Sequence, residues 1–346
     1  MWIEKLNSVT VKPKTQLYYK YKGLIDIIIP VYNDRAGLYK TLFSFNIMNK
    51  YHIIIVDDCS TDNYDDIIQF FNQFFEITYV KTPNNGGPAV AKNYGKIQST
   101  NKYITFIDAG DTWANSMTLI QMEKILEQNP EYQYISAAYY EEGTDASLKY
   151  IGPRHNTWRG KVYKRRFMDN FDLHFLESSS FSNDDIGMNI LADLVCEPNE
   201  IAYVDEPALI WQIDVNSITR KNNNQYFYSV SPMGTVQAAL YALKTAEQYY
   251  VPEVRLQETA CDIMCDLYYQ YLAVLNYKPE YIDSTFAACK LFYDEYFSTM
   301  SIDLQMLTDI YHHHTLGKFS NKDFEPSVEK ISCYPFGLFL DELNKN

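Results

Sequence analysis

A chain of 346 residues, 47% of them hydrophobic, is long enough to build one large domain and a smaller one. Its 44 acidic residues outnumber the 30 basic ones and give a formal net charge of −14. Since nucleic acids and anionic membrane surfaces attract basic proteins, this charge argues against bulk binding to either of them.

Neither membrane insertion nor a disulfide framework is expected. No apolar run approaches the roughly 18 residues of a transmembrane helix, and the N-terminus lacks the apolar segment of a signal peptide. The six cysteines contain no CxxC pair, so we expect reduced thiols. These observations predict a cytoplasmic protein without a transmembrane segment.

The first part of the chain alternates between predicted strands and helices. Short apolar runs rich in β-branched and aromatic residues predict buried parallel strands at 24–30, 53–56, 77–80 and 103–107. Helical patterns lie between them at 35–48, from Ser60 to Phe75, and from Pro88 onward. This alternation predicts an α/β fold with a mostly parallel, doubly wound sheet.

From Pro232 onward the apolar residues recur with helical spacing. Three apolar faces run through 236–246, 260–275 and 282–296. We therefore expect an α/β domain at 1–222 and a small helical domain at 223–346. The pattern leaves open whether the helical tail shapes substrate choice or mediates homo-oligomer formation.

Carboxylates follow two of the predicted strands. Asp57 and Asp58 end the second strand, and Asp108 and Asp111 follow the fourth. Open α/β sheets bind ligands beyond the carboxyl ends of their strands, so these side chains are candidates for one crevice. The first pair can accept a hydrogen bond from a nucleobase or can contribute to helix capping. The second pair suits Mn²⁺ or Mg²⁺, or forms a solvated acidic turn.

Two loops complete the predicted crevice. Pro30-Val31-Tyr32-Asn33 follows the first strand, where a turn can contact a flat base or can simply lead into the next helix. The loop at 84–88 runs into a helix start, where free N–H groups and the helix dipole suit a phosphate. Lys92 adds a positive charge there.

In order, these four segments resemble glycosyltransferase family 2, the inverting, sugar-nucleotide-dependent enzymes with the GT-A (Rossmann-like) fold. The family's PVYN is unchanged here, its VDDGSTD is VDDCSTD, its NxGxxxARNxG lies at 85–95, and its DxDD lies at 108–111. Segments 157–165, 182–187 and 203–219 continue the likeness. The match covers about residues 24–220, and the helical tail has no counterpart.

The resemblance implies a hexosyltransferase that transfers a sugar from a nucleotide-diphosphate donor, with a UDP-sugar expected, to a glycan or another hydroxyl acceptor. It implies that Asp185 is the catalytic base, that Asp58, with or without Asp57, reads uracil, and that Lys92 meets the diphosphate. The implied donor-binding set is Pro30, Tyr32, Asn33, Asp57, Asp58, Gly87, Lys92 and Asp108. Trp158, Lys161 and Asp184 are implied on the acceptor side.

Two departures from the family pattern concern the metal. Gly110 stands where an acidic ligand is common, and Asp214 stands where many relatives carry a histidine. We hypothesise that Asp108, Asp111 and Asp214 together bind Mn²⁺ or Mg²⁺. The alternative is that Asp214 is a loop residue and the metal is bound weakly. The run 312–314 of three histidines is not expected to be a metal site, because consecutive helical residues point in different directions.

Two other functions compete with this interpretation. A catalytically lapsed GT-A nucleotide-sugar-binding protein would carry Gly110 as a sign of lost metal binding, although Asp111 and Asp185 are retained. A sugar nucleotidyltransferase would need a glycine-rich loop directly after the first strand, where this chain has PVYN.

Overall fold

The sheet of this protein holds nine strands in the part of the chain that the structure, a computed structural model, describes. The described residues are 22–45, 50–143, 145–153, 157–177, 184–212, 228–319 and 335–345. The strands are β1 (Lys22–Val31), β2 (Lys50–Asp57), β3 (Glu76–Lys81), β4 (Tyr103–Phe106), β5 (Thr112–Trp113), β6 (Tyr134–Glu142), β7 (Leu148–Ile151), β8 (Lys161–Lys164) and β9 (Ile201–Trp211).

The strand order brings the predicted site residues to one edge of the sheet. It is β3-β2-β1-β4-β8-β6-β9-β5, with β7 paired to β6. The first four strands are mutually parallel, and β8 lies antiparallel between β4 and β6. Since β8 is antiparallel to both β4 and β6, β6 runs in the same direction as β4, and β9 is parallel to β6. The carboxyl ends of β6 and β9 therefore share the edge at which β2 and β4 end. The α/β sheet is confirmed, and it is mixed: β5, β7 and β8 run against the direction of the other six strands.

Six helices connect or follow the strands within the described part of the sheet region. They are α1 (Arg35–Phe43), α2 (Asp65–Phe71), α3 (Gly87–Gln98), α4 (Ser116–Gln128), α5 (Arg165–Asn170) and α6 (Asp184–Leu194). The helix expected at 35–48 is shorter than predicted and ends at Phe43. The Ser44 hydroxyl donates to the Thr41 carbonyl there, which satisfies an open acceptor of the last turn. The helix expected to reach Phe75 likewise ends at Phe71.

The C-terminal part is helical, as predicted. Its helices are α7 (Ser231–Gln248), α8 (Glu253–Tyr277), α9 (Ile282–Glu295), α10 (Leu304–Phe319) and α11 (Phe336–Leu343). One apolar core joins them to one face of the sheet. The boundary at residue 222 lies outside the described residues and stays a prediction. None of the described helices is both long and apolar enough to cross a membrane.

The tail helices hold α6 along its side and at its end. A Cβ atom on Gly187 would lie 3.0 Å from the Ala238 carbonyl oxygen of α7, so the two helices approach closely at this glycine. Arg255 of α8 donates to the carbonyls of Asp193 and Cys196, both at 2.7 Å, at the C-terminal end of α6. A cation is favourable there because the helix dipole is negative at that end.

A buried carboxylate joins three segments at the opposite edge of the sheet. Asp26 of β1 is fully buried. Its oxygens accept hydrogen bonds from the Ser99 hydroxyl at 2.6 Å, the Thr100 N–H at 2.7 Å and the Asn101 N–H at 2.8 Å. His52 Nδ1 of β2 lies 2.5 Å from Asp26 Oδ1. These contacts fix the turn that leads into β4, the strand that delivers Asp108 to the other edge.

His314 of α10 forms ion pairs with two aspartates of α8. Its Nε2 lies 2.8 Å from Asp262 Oδ1 and its Nδ1 lies 3.5 Å from Asp266 Oδ1. Hydrogen bonds that His314 donates to the two carboxylates raise its pKa from 6.5 to about 9. The histidine is thus a charged link between two tail helices.

This link predicts that the stability of the tail depends on pH. Because the folded-state pKa is raised, the stabilisation is fully present below about pH 6.5 and is lost as pH rises through about 9. We expect a loss on the order of 1 kcal/mol, since both aspartates are about half exposed. Urea unfolding of wild type and His314→Gln should converge at alkaline pH. The neighbouring exposed variant His313→Gln should behave as wild type; equal pH dependence in all three proteins would contradict the prediction.

Candidate active site

The turn after β1 is tied to the loop after β2. Asn33 adopts a left-handed backbone conformation with φ 49°. Its Oδ1 accepts hydrogen bonds from the Thr61 N–H at 2.8 Å and the Thr61 hydroxyl at 3.0 Å. Pro30 is buried, whereas Tyr32 is 51% exposed. Of this predicted base-binding segment, Tyr32 therefore presents its ring to solvent, and Asn33 orders the turn.

The Asp57 carboxylate is occupied by its own loop. It accepts hydrogen bonds from the Ser60 N–H at 2.7 Å and the Tyr79 hydroxyl at 2.6 Å, and Lys81 Nζ lies 3.2 Å away. Burial acts to raise the pKa of Asp57, but these hydrogen bonds outweigh it and hold the pKa below its ordinary value. Asp57 is a fixed negative charge at the sheet edge.

Asp58 organises the glycine loop that precedes α3. Its Oδ1 accepts from the Gly86 N–H at 2.9 Å and the Thr82 hydroxyl at 2.9 Å, and its Oδ2 accepts from the Gly87 N–H at 2.6 Å. Gly87 has φ 85°, a conformation that favours glycine. Two of the N–H groups predicted to meet a phosphate therefore bind Asp58. The predicted contact of Asp58 with uracil stays a prediction.

Lys92 lies beneath the crevice rather than on its surface. The residue is only 3% exposed, and its Nζ is 3.0 Å from Asp108 Oδ1. The ammonium group lies 4.3 Å from the centroid of the Trp158 ring and 5.1 Å from that of Phe175. Aromatic faces attract a cation, so they stabilise the buried lysine beside Asp108. Lys92 is buried, and Asp108, the carboxylate that it pairs with, is 34% exposed.

Asp111 carries an unusual carboxylate. It is 5% exposed; its Oδ1 accepts from the Gln212 N–H at 2.9 Å, and its Oδ2 accepts no hydrogen bond from any described residue. Burial raises the pKa of Asp111 to about 7; Arg159 opposes this shift and Asp108 adds to it. A buried oxygen without a partner is costly, so this site is suited to a cation.

The departure at Gly110 has a backbone cause. Gly110 has φ 100°, where a side chain would be strained. The turn is held by Thr41, whose hydroxyl accepts from the Gly110 N–H at 2.9 Å and donates to the Asp111 carbonyl at 2.7 Å. The tight turn therefore accounts for the glycine and orients Asp111 inward.

Arg159 is a site residue that the sequence reasoning missed. Its guanidinium lies between two indoles, 5.0 Å from the Trp158 centroid and 4.2 Å from that of Trp211. Its Nη2 is 3.9 Å from Asp108 Oδ2, beyond hydrogen-bond distance, and its buried Nε finds no acceptor among the described residues. The stacking therefore holds the cation in place without using the buried Nε donor.

The available signal for Arg159 was the glycine that follows it. Gly160 has φ 72°, and a Cβ atom there would lie 2.6 Å from the Ala137 carbonyl oxygen. The turn is thus pressed against β6 and directs Arg159 toward the crevice.

Asp185 stands in the first turn of α6 and faces the same charges. Burial raises the pKa of its carboxyl, while Arg159 and Lys92 lower it and Asp108 raises it. The carboxylates of Asp108, Asp111 and Asp185 in turn favour the charged form of Arg159. The structure therefore brings three acidic and two basic side chains from the turn after β4, from α3, from α6 and from the turn before β8 into one electrostatic cluster.

Two residues predicted on the acceptor side are interior. Trp158 is 2% exposed and Lys161 is fully buried, so they meet other side chains rather than the crevice surface. The side chain of Asp184 and the whole of Asp214 lie outside the described residues. No group of three or more potential ligands among the described His, Cys, Asp and Glu residues is arranged to hold a metal ion.

Comparison with known proteins agrees with this geometry. Residues 26–183 match the family model for Glycosyl transferase family 2. Glycosyltransferase TuaG of Bacillus subtilis is 33% identical over 117 residues, which are 33% of this chain and 46% of that protein. Glycosyltransferase GlyG of Streptococcus pneumoniae serotype 4 is 30% identical over 133 residues, which are 37% of this chain and 44% of that protein. The matched region spans less than half of either relative.

A solved structure shares the fold over a larger part of the chain. TarS 1-349 of S. aureus in complex with UDP-GlcNAc superposes with a TM-score of 0.56 at 15% sequence identity, covering 85% of this chain and 92% of that one. At this identity the likeness concerns the fold alone. The motifs, the family match and the shared fold lead to one conclusion: residues 26–183 form a glycosyltransferase family 2 region, and the sheet region of the chain has the GT-A fold.

Proposed function

We propose that the protein is an inverting, metal-dependent hexosyltransferase that moves a sugar from a UDP-sugar to a hydroxyl acceptor, with Asp185 as the base. The observation that carries the proposal is the electrostatic coupling of Asp185 to Arg159 and Lys92 at the carboxyl edge of the sheet. Inverting transfer needs a base for the acceptor and positive charge for the departing diphosphate. This cluster supplies both.

The reaction follows from these positions. Asp185 removes the proton of the acceptor hydroxyl, and the acceptor oxygen at the same time forms a bond to the anomeric carbon of the donor. The bond from that carbon to the diphosphate oxygen breaks, and the diphosphate leaves with the electron pair. Burial favours this role because it raises the pKa of Asp185 and makes the carboxylate a stronger base.

The residues fit a divalent cation of the Mn²⁺ or Mg²⁺ type. Asp108 Oδ1 and Asp111 Oδ2 are buried and accept no hydrogen bond from the described residues, although Lys92 is close to the first of them. Carboxylate oxygens are the ligands that these hard cations prefer. Asp108 and Asp111 would hold the ion, with Asp214 as the proposed third ligand. When bound, the ion supplies positive charge to the diphosphate.

Arg159 is the better candidate for direct contact with the diphosphate. Lys92 is paired with Asp108. The guanidinium of Arg159 is held by stacking, and its Nη2 lies beyond hydrogen-bond distance of Asp108 Oδ2. A guanidinium can bind phosphate oxygens with two donors at once. We therefore assign Lys92 a supporting role beneath Asp108 and propose Arg159 as the contact.

The thiols and the net charge of the chain bear on its compartment and its acceptor. The five described cysteines are free thiols, which supports the expected cytoplasmic location. The chain's net charge of −14 supports a glycan or other small hydroxyl acceptor rather than bulk nucleic acid.

The proposed function is tested first by nucleotide binding. We expect UDP to raise the melting temperature, and Mn²⁺ to increase that shift, because a ligand of the native state stabilises it by mass action. GDP, CDP and dTDP should give smaller shifts. UDP-sugars should then release UDP in the presence of an acceptor mixture. A nucleotide shift without any transfer or donor hydrolysis would favour the lapsed enzyme, and the absence of any shift would contradict donor binding.

Replacing Arg159 should weaken donor binding. Loss of a hydrogen bond between charged groups costs about 1.5–3 kcal/mol, so Arg159→Leu should raise the Kd for UDP by about 10- to 100-fold. Arg166→Leu removes an exposed charge of the same segment and should change the Kd less than twofold. Titration calorimetry with Mn²⁺ present measures both. Equal affinities for the two variants would show that Arg159 does not contact the diphosphate.

A further inference from the structure

A buried lysine of β8 is hydrogen-bonded to the helix that carries Asp185. Lys161 is 0% exposed, and its Nζ donates to Asn189 Oδ1 at 2.9 Å. The Tyr163 hydroxyl donates to the same oxygen at 3.1 Å. Asn189 is itself fully buried, so its side-chain oxygen is held from two positions of the strand.

The other end of the Asn189 amide reaches the backbone of Asp185. Asn189 Nδ2 donates to the Asp185 carbonyl at 2.7 Å. Hydrogen bonds therefore run without interruption from β8 through Asn189 to the residue that carries the proposed base. The strand and the first turn of α6 are joined at this point.

In the first turn of α6, a described packing contact lies at Gly187, where α7 approaches closely. Met188 is the first buried large apolar side chain of the helix among the described residues, and Asp185 and Ile186 are only partly buried. Large apolar side chains therefore hold the helix from its second turn onward. The hydrogen bond from Asn189 adds a polar anchor at the Asp185 carbonyl.

Burial makes the Lys161 cation costly. It lowers the pKa of Lys161 to about 8, although the carboxylates of Asp193 and Asp185 favour the charged form. The ammonium lies 5.0 Å from the Tyr134 ring centroid, a partial compensation. Replacing a buried charge with an apolar side chain of similar size is often neutral or stabilising. We therefore expect the fold to tolerate an apolar side chain of similar size at this position.

We propose that Lys161 and Asn189 are positioning residues that hold the first turn of α6 against β8 and so fix Asp185 for proton transfer. The inference rests on the proposed role of Asp185 as the base. It also reassigns Lys161, which the family resemblance had implied on the acceptor side. With no exposed surface, Lys161 acts on the reaction through Asn189 and Asp185.

The test compares Lys161→Met with Lys164→Met. Both remove a lysine from β8, but Lys164 bonds the Pro130 carbonyl on the outside of the sheet. For Lys161→Met we expect an equal or higher melting temperature, at least tenfold faster hydrogen exchange at 186–190, and a kcat lower by about tenfold. The KM for the donor should stay within twofold. Lys164→Met should match wild type in exchange and in kcat.

A second variant removes the whole bridge. Lys161→Met/Tyr163→Phe/Asn189→Leu replaces the three hydrogen-bonded side chains with apolar groups of similar size, a change that can be nearly neutral for folding. It should show at least the same increase in exchange and loss of kcat. If Lys161→Met does not fold, this second variant still tests whether the bridge positions Asp185.

The outcomes separate the inference from the proposed function. Unchanged exchange at 186–190 in both variants would overturn the inference, and so would faster exchange with unchanged kcat. If wild type transfers no sugar, the proposed function fails, and hydrogen exchange alone decides whether Lys161 and Asn189 hold the turn. Loss of kcat that follows a fall in melting temperature would indicate a structural role only and would also overturn it.

Discussion

Asp185→Asn is expected to lower kcat by about 10²- to 10⁴-fold, the usual contribution of a positioned general base. Asparagine has nearly the same shape but cannot take the acceptor proton. The Kd for UDP should remain within twofold, because Asp185 lies on the opposite side of the reacting carbon from the diphosphate in an in-line displacement. Initial rates of UDP release and UDP titrations measure the two effects separately.

The pH profile of wild type adds a second check on Asp185. The base must be deprotonated to act, and burial raises the pKa of Asp185 above its ordinary 3.8. We therefore expect kcat to fall on the acid side at a pH above that ordinary value. For Asp185→Asn, the matched control is Asp172→Asn, because the Asp172 side chain is 79% exposed and lies outside the cluster. Full activity in Asp185→Asn would refute the assignment of the base.

Asp26→Ala is expected to cost about 3–5 kcal/mol of unfolding free energy, the penalty for removing one partner of a buried, hydrogen-bonded ionic group. The change leaves the Ser99 hydroxyl, the N–H groups of Thr100 and Asn101, and the ring of His52 without this acceptor. Such a loss is a large fraction of the stability of a typical domain. Urea unfolding followed by circular dichroism measures it.

Asp66→Ala provides the surface comparison for Asp26. Its side chain is 70% exposed and pairs with Arg35 at 2.7 Å, so its loss should cost less than about 1 kcal/mol. Similar costs for the two variants would contradict the proposed importance of the buried site.

The contribution of Asp26 to stability should also depend on pH. Burial acts to raise the pKa of Asp26, but hydrogen bonds from His52 and Ser99 contribute to holding it below 3.8. The stabilisation is therefore present above pH 3.8 and is lost as pH falls through the folded-state pKa.

The sequence was most informative where chemistry and secondary structure coincide. Apolar runs followed by Asp57 and Asp108 predicted both the strands and the edge at which the carboxylates meet, because parallel strands necessarily end together. The family motifs then supported Asp185. The exact ends of helices were less predictable, since α1 and α2 stop where local turns and loop contacts replace helical hydrogen bonds.

Side-chain burial was not predictable from the motifs. Lys92 and Lys161 both carry charges that suggested contact with a ligand, yet the structure buries them beneath Asp108 and α6. The motifs did not single out Arg159, yet it stacks between Trp158 and Trp211. Trp211 is far from Arg159 in the chain, so only the pairing of β9 with β6 brings them together.

The sequence by itself determined the family, the α/β sheet with its helical tail and the acidic residues of the crevice, because local periodicity and motif order carry that information. Only the tertiary structure decided which charges face one another. Asp111 keeps an oxygen without a hydrogen bond from the described residues, and the Arg159 Nε finds no acceptor among them, whereas Lys92 pairs with Asp108. Strands and loops distant in sequence supply these neighbours. Burial and electrostatic coupling are properties of that packing and leave no local signal.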